Sequence, residues 1–582
     1  MRKNKKLQQW LSHFTIDHFR ERLAHLDALP QLALLGLLSG LFTGAVIVIF
    51  LSILDYLSLL LLGTHSENYE SLPLYIRLAG PAIGCLLLGL MFWFIPAAWR
   101  AQGIGHVMER FSFNQGHMPW PNAIHQFFSV LIALASGLSA GREGPAVHMG
   151  AALSSILGVK LRLPNNSLRI LVGCGSAAAI GASFNTPIAG VIFAMEVIMA
   201  EYTLVGFTPI ILASVSGTAL SQWLLGEPVL FDATPVELYS LAELPWVAAS
   251  GIMTGILSAG FIVMAGRLFI LQSKPLAIRF SLVAAATMLA AWLLPVLMGT
   301  GYDLVNQSFT GELSLNFLLI LAGGKLLLTA LTFGLGVPVG IVGPLVVVGG
   351  LFGAAMGHVG AFLVDTRVSD ISVYAMIGMA AMMAATLNAP LAALMALLEL
   401  TNNPNIIMPG MLAVVSAILA CQYLTEREPS VFRYILALRG LDTRHTLISH
   451  TLSRAGVIAV MNQKFIWCEH QISLASLKNR LQQKPVWLLY KDTDSEQVCM
   501  MPVAEVVSYL DELSETGHDL TILLSEIPSE ERLNAVAIDH RSTLAQADQM
   551  IADLRNEALY VTDQSHQPRG VITRQMIENY YR

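Results

Sequence analysis

Charge is what this sequence has least of. Only 13% of its 582 residues are Asp, Glu, Lys or Arg, against about 25% in an ordinary soluble domain. Another 54% are hydrophobic, and the mean hydropathy is +0.61. That scarcity excludes a soluble enzyme or a charged disordered polypeptide over most of the length and leaves a polytopic membrane protein. Cysteine is sparse too. The five that occur (Cys85, Cys174, Cys421, Cys468 and Cys499) show no CxxC spacing, and three lie in apolar segments, which argues against disulfides or a zinc site. No basic patch is interleaved with aromatics, so no nucleic-acid partner is expected, and the net charge of −6 says little about other partners. No cleavable signal is expected, because the first apolar run starts late and far exceeds the roughly 7 to 15 residues of a signal core.

What is present is unevenly spread. Apolar runs fill residues 31–424, after which composition returns to that of a soluble protein. The expected organisation is a cytoplasmic N-terminal segment over 1–30, an all-α transmembrane domain over 31–440 and a cytoplasmic α/β domain over 441–582. Arg2, Lys3, Lys5, Lys6, Arg20 and Arg22 precede the first run, and Arg427, Arg433, Arg439 and Arg444 follow the last. Positive-inside logic places both ends in the cytoplasm, with an even number of crossings.

The membrane part repeats itself. GLSAGREGPAVHMG from Gly137 aligns with GVPVGIVGPLVVVG from Gly336: Gly137, Gly141, Gly144, Pro145 and Gly150 match Gly336, Gly340, Gly343, Pro344 and Gly349 at a shift of 199 (336 − 137). FNTPIAGVIFAME ending at Glu196 aligns with LNAPLAALMALLE ending at Glu399, matching Asn185, Pro187 and Ala189 to Asn388, Pro390 and Ala392 at a shift of 203 (388 − 185). Two ordered blocks at nearly one offset indicate a duplicated half. In duplicated transporters the substrate site often lies where the halves meet, at helices broken by Gly and Pro.

Pro145 and Pro344 each follow a glycine-rich turn, as expected for proline at a first helical position. Each block then offers a helix N-terminus, whose unpaired N–H groups and dipole suit an anion, with glycine permitting close approach. Such partial charges bind an ion without trapping it. Glycines that only allow close helix packing are the alternative. Recurrence in both blocks favours the anion site.

These residues resemble the CLC family of chloride channels and chloride/proton antiporters. GREGP at 141–145 matches the family signature, GIVGP at 340–344 resembles its GxFxP segment, and AQGIG at 101–105 resembles its GSGIP segment. With FNTPIAGVIFAMEV and SVFRYIL at 430–436, the similarity covers nearly the whole membrane part. The resemblance implies an inverted repeat of broken helices and a homodimer with one pore per subunit, carrying chloride or a similar small anion in a plasma (inner) membrane. It implies that Glu143 is the gate, its carboxylate occupying an anion position until chloride displaces it or a proton neutralises it; a buried intramembrane acid is a functional candidate by default. It also implies anion contacts at Gln102, Gly141, Arg142, Gly144, Gly340, Ile341, Val342 and Phe432. Of these, Arg142 reads as a source of field and structure. His148 reads as a packing residue rather than a ligand.

Departures from the family pattern carry information. Gln102 replaces a serine whose hydroxyl donates to chloride, and an amide can also donate. Phe432 replaces a tyrosine, losing a hydroxyl. Val342 replaces a phenylalanine but keeps the backbone N–H. Val197 stands where antiporters have a proton-relay acid, so the sequence leans to passive conduction gated by Glu143, with chloride/proton exchange through water or another acid as the alternative. Glu196, matched by Glu399, reads as structural. Lys325 is expected either to raise the potential near the pore or to snorkel towards an interface. The methionines of 379–385 read as packing residues.

The tail reads as strand, helix, strand, strand, helix at 456–460, 474–483, 486–490, 497–501 and 504–513. The series recurs at 535–539, 543–557, 558–563, 570–573 and 574–581. This resembles a pair of CBS modules. The nucleotide-binding form has an aspartate three residues after a threonine, whereas here Thr573 is followed by Met576. Adenine nucleotide is therefore a doubtful ligand and no other cofactor is expected.

Two rivals come from other classes. Residues 137–141 satisfy GxSxG, but a hydrolase elbow needs a strand, a turn and partner groups, and the serine's counterpart in the second half is Pro338. A receptor or scaffold that the membrane part merely anchors would have no use for two buried polar breaks. The expectation is a protein that is not an enzyme.

Overall fold

The computed structural model describes residues 28–63, 68–226, 230–231, 238–363, 369–425, 430–441, 452, 455–492, 497–513, 521–529, 531–553, 558–563, 565 and 567–581. The basic residues of the N-terminal segment, Arg427 and Arg444 lie outside the described residues. The chain divides into two compact units, Met1–Asp442 and Thr443–Arg582.

The first unit is built of helices. Its first half contains α1 (Ala28–Leu62), α2 (Leu74–Phe94), α3 (Gly103–Phe113), α4 (Trp120–Ala135), α5 (Glu143–Lys160), α6 (Asn165–Phe184), α7 (Pro187–Phe193, continued by a π turn over Ala194–Met199) and α8 (Leu204–Leu225). The second half repeats the series as α9 (Leu244–Ile270), α10 (Leu276–Leu293), α11 (Tyr302–Phe309), α12 (Leu315–Gly334), α13 (Val342–Leu363), α14 (Ile371–Leu387), α15 (Pro390–Thr401) and α16 (Ile407–Leu424). A short α17 (Val431–Leu438) follows.

Corresponding helices choose corresponding neighbours. α1 packs on α8 as α9 packs on α16, and α5 packs on α6 as α13 packs on α14. The last pair of contacts depends on missing side chains: a Cβ at Gly150 would lie 2.3 Å from the Gly175 carbonyl oxygen, and one at Gly349 would lie 2.4 Å from that of Gly378. Close packing therefore explains this one matched glycine pair. The α6 and α14 ends also correspond. Asn185 and Asn388 adopt the left-handed conformation that stops each helix, and each side-chain oxygen accepts from a glutamine, Gln222 and Gln422 respectively. Pro187 and Pro390 then start the next helices.

Nine helices among the described residues are long and apolar enough to cross a membrane. Large apolar side chains such as Trp93, Phe94, Trp223 and Tyr423 remain exposed on this unit, as expected of a lipid-facing surface. The odd count means that an even number of crossings requires a contribution from shorter apolar helices such as Pro187–Met199, Ile371–Leu387 and Pro390–Thr401.

The second unit is α/β. A six-stranded sheet has the order β1 (Phe465–Cys468), β3 (Trp487–Lys491), β4 (Val498–Pro502), β6 (Leu533–Asp539), β7 (Ala558–Thr562), β8 (Pro568–Thr573). β2 (Gln471–Ser473) pairs separately with β5 (Thr521–Leu523). In each half a parallel pair, β1 with β3 and β6 with β7, is followed by an antiparallel partner. The helices α18 (Leu474–Leu481), α20 (Leu544–Asp553) and α21 (Arg574–Tyr581) fall within the expected segments, and α19 (Val503–Leu513) starts one residue before its own. One expectation fails: 456–460 is no strand, and Val457–Ala459 forms a single 3-10 turn. Gly456 and Asn462 make only isolated bridges, to Thr543 and Val571, and the first continuous strand is β1.

Candidate anion site and gate

The two glycine-rich breaks meet. Gly141 and Gly340 exchange backbone hydrogen bonds of 2.8 and 2.9 Å as an antiparallel bridge, so the chain passes through this point in opposite directions in the two halves. α5 and α13 start immediately beyond it, at Glu143 and Val342. Pro145 and Pro344 therefore occupy third helical positions, not the expected first ones; both still lie in the opening turn, where an N–H has no intrahelical partner.

Glu143 is 2% exposed, and its carboxyl group fills the space between the breaks. A Cβ at Gly141 would lie 2.1 Å from Oε2, one at Gly340 2.8 Å from Oε2, and one at Gly343 2.4 Å from Oε1. The glycines of both halves thus form a cradle that no side chain could share. Tyr302, the first residue of α11, donates its hydroxyl to Oε1 at 2.8 Å. Sequence reasoning missed this residue, although the repeat contains a signal for it. Shifting Gln102 and Gly103 by 199 lands on Gly301 and Tyr302 (102 + 199 = 301), and α3 and α11 begin at the matching residues.

Glu143 lines one cavity, and its neighbour Gly144 lines another. The first, about 50 Å³, is walled by Phe184, Phe231, Tyr302, Val342, Gly343 and Glu143. The second, about 120 Å³, includes Gln102, Gly144, Gly340, Ile341 and Phe432 in its walls. Of the expected anion contacts, five line the larger cavity, Val342 lines the smaller, and Gly141 lines neither, lying against the carboxylate and bridged to Gly340. Arg142 lines neither; its guanidinium lies 4.8 Å from the centre of the Phe184 ring, a cation–π contact that keeps the charge near the breaks without facing the cavities.

Gln102 is oriented by its surroundings. The Ser129 hydroxyl lies 3.2 Å from both Gln102 Oε1 and the Gln126 carbonyl oxygen and is shared between these two acceptors, and the buried Gln102 Nε2 has no hydrogen-bond partner. An unpaired buried donor is costly, and this one belongs to a residue that lines the same cavity as the apolar ring of Phe432, which packs edge-on to Phe333 at 6.2 Å. Gln126 ties the region together, accepting from Gly103 N at 2.8 Å and donating to the Pro338 carbonyl at 3.1 Å.

Lys325 does not snorkel. It is fully buried and donates to the carbonyls of Leu297 at 3.0 Å and Gly299 at 2.6 Å. His148 is buried and hydrogen-bonded: its Nε2 faces His106 Nδ1 at 2.9 Å, and Arg110 donates to the other His106 nitrogen at 3.2 Å. Because a guanidinium only donates, the His106 proton sits on Nδ1 and points at His148. Ser139 is buried with its hydroxyl 2.9 Å from that of Thr329, between two helices and not at a strand end.

Val197 lies in the π turn and lines a third cavity, about 340 Å³, with Glu196, Tyr202, Asn388, Ser430 and Arg433. The position that lacks an acid thus adjoins polar groups.

A family model described as "Voltage gated chloride channel" matches residues 83–422, more than half of the chain. The chain belongs to this family, the CLC family. Within it, the H(+)/Cl(-) exchange transporter ClcA of Vibrio cholerae is 29% identical over 309 residues, covering 51% of this chain and 66% of that protein. The chain therefore spans just under two-thirds of the length of this curated relative. A putative chloride channel protein ClcB-like from Ralstonia nicotianae is 28% identical over 382 residues, covering 64% of this chain and 88% of its own length. The CLC fold extends to solved structures. A slow cyanobacterial Cl-/H+ antiporter superposes with a TM-score of 0.62 at 23% identity over 70% of this chain and 98% of its own. A eukaryotic CLC transporter gives 0.60 at 17% identity over 94% and 97%. At these identities the superpositions speak for the fold. The CLC protein described here is thus an integral multi-pass membrane protein with an appended α/β unit.

Proposed function

We propose that this CLC protein moves chloride across the membrane in exchange for protons, with Glu143 as the gate. The observation that carries the proposal is the seating of one buried carboxylate between two facing helix starts, with a cavity on either side. Ionised, it occupies the position an anion would take; protonated, it loses its attraction for the amides and leaves. Gln102 Nε2 and the backbone amides of Gly144 and Ile341 are the proposed anion donors. Arg142 contributes field.

Exchange is preferred to the passive conduction that Val197 first favoured. Relatives named as H(+)/Cl(-) exchangers support it, and the polar cavity beside Val197 has room for water where the acid is missing. The reversal potential of purified protein in a bilayer, under opposed chloride and pH gradients, tests this. A value displaced from the chloride equilibrium potential by the proton gradient is expected. A value that ignores pH returns the channel reading.

The remaining parts of the proposal concern surroundings. The protein is a homodimer in a plasma (inner) membrane with both termini cytoplasmic, and it is not an enzyme. The second unit is a CBS-like pair that dimerises or couples to the gate. Thr573 Oγ caps α21 by accepting from Met576 N at 3.4 Å, the place where a nucleotide-binding module would present its aspartate. This supports a role without adenine nucleotide.

A further inference from the structure

We propose that Tyr302 is a latch on the gate: a positioning residue whose phenol holds the Glu143 carboxylate in its seat and so sets how readily protons and anions displace it. The inference rests on Glu143 being the gate. Its geometry is specific. The phenol oxygen lies 2.8 Å from Oε1, and a Cβ at Gly343 would lie 2.5 Å from that same oxygen. Hydroxyl and carboxyl therefore share a space only a glycine leaves open. The ring stands edge-on to Phe231, with centroids 5.7 Å apart. Tyr302 and Phe231 both line the smaller cavity, on the face of the gate away from Gln102.

The repeat explains the placement. α3 brings Gln102 to one cavity, and α11, its counterpart, brings Tyr302 to the other. One half donates towards the anion path and the other towards the gate. Tyr302 donates to the carboxyl, Arg142 is its chain neighbour, and the buried Lys325 ammonium packs against Gly301, next to Tyr302. A phenol hydrogen bond favours the ionised carboxylate over the acid. Without it the seated form protonates at higher pH and yields to anions at lower concentration.

Anion flux from liposomes, followed against pH and chloride, tests this. Tyr302→Phe should raise the pH of half-maximal flux by about one unit and lower the half-activating chloride concentration about tenfold. Incorporating 3-fluorotyrosine at 302 leaves the shape nearly unchanged and strengthens the donor, so it should shift both in the opposite sense; it also tests the proposal should the phenylalanine variant not fold. In a Glu143→Gln background, Tyr302→Phe should produce neither shift. Unchanged profiles in both Tyr302 variants, or equal shifts in the Glu143→Gln background, overturn the latch alone. A parent protein without anion flux overturns the gate reading and the latch with it.

Discussion

Glu196 and Glu399 each cap the broken helix of the other's half. Glu399 accepts from the amides of Ile188 at 2.9 Å and Ala189 at 2.7 Å, and Glu196 accepts from those of Leu391 at 3.3 Å and Ala392 at 2.7 Å. A carboxylate at a helix start satisfies orphan N–H groups and the dipole together. The reciprocal exchange joins α7 to α15 and fixes the two halves in one relative position.

Breaking one member of this exchange should be costly. Glu399→Gln retains one acceptor but turns an amide NH2 group against an N–H, leaving that N–H unpaired, at a cost of about 1–3 kcal/mol. The expected result is a lower thermal transition in detergent, with Glu196→Gln giving a similar loss. A transition equal to the parent's counts against the capping role.

Glu143→Gln removes the titrating group at the gate. Flux through that variant should become nearly independent of pH, because an amide neither ionises nor competes as an anion. Proteoliposome flux between pH 4 and 8, a range of about four units around the ordinary carboxylate and imidazole values, measures it; a parent-like profile would sink the assignment.

The cradle makes a second route to the same phenotype. A methyl group at Gly343 would meet Oε1 at 2.4 Å and the Tyr302 oxygen at 2.5 Å. Gly343→Ala should therefore unseat the carboxylate and weaken the pH dependence without touching Glu143 itself. If flux keeps its normal pH profile, the carboxylate has another resting place.

Ser129 is expected to act through Gln102. Losing its hydroxyl frees the amide to rotate, so Ser129→Ala should raise the chloride dissociation constant, measured by calorimetry, about three- to tenfold, the equivalent of about 0.5–1.5 kcal/mol. Gln102→Leu should weaken it further, and combining the two should add little beyond Gln102→Leu alone.

In the soluble unit, Asp563 accepts from the amides of Gln567 and Ser565 and from Arg569, which holds its carboxyl below the ordinary range. A depressed value contributes order that is present at neutral pH and lost as pH falls through that value. The protection factor of the Gln567 amide in the full chain, taken against its intrinsic exchange rate at each pH, should fall on acidification, and Asp563→Asn should abolish that dependence.

Much of this architecture can be read from residue order. The two glycine blocks, the asparagine–proline breaks and the glutamate pair recur at a nearly constant offset, and structure assembles them as counterparts. In the tail an apolar run marks β3, β4 and β7, but the same signal places a strand at 456–460, where there is none, and leaves β1 unread. It also misses β2 and β5, where three residues pair only because a partner strand lies beside them.

Composition and internal repetition, by themselves, determined a membrane-embedded duplicated helical unit, the places where its helices break and the acid set at one of those breaks. These are local properties, set by hydration of side chains and by the backbone freedom of glycine and proline. Only the tertiary structure decided that Tyr302 reaches Glu143 across 159 positions, that Ser129 turns the Gln102 amide, and that Lys325 is buried. Each depends on which helix faces which, and that is settled by packing among many side chains at once.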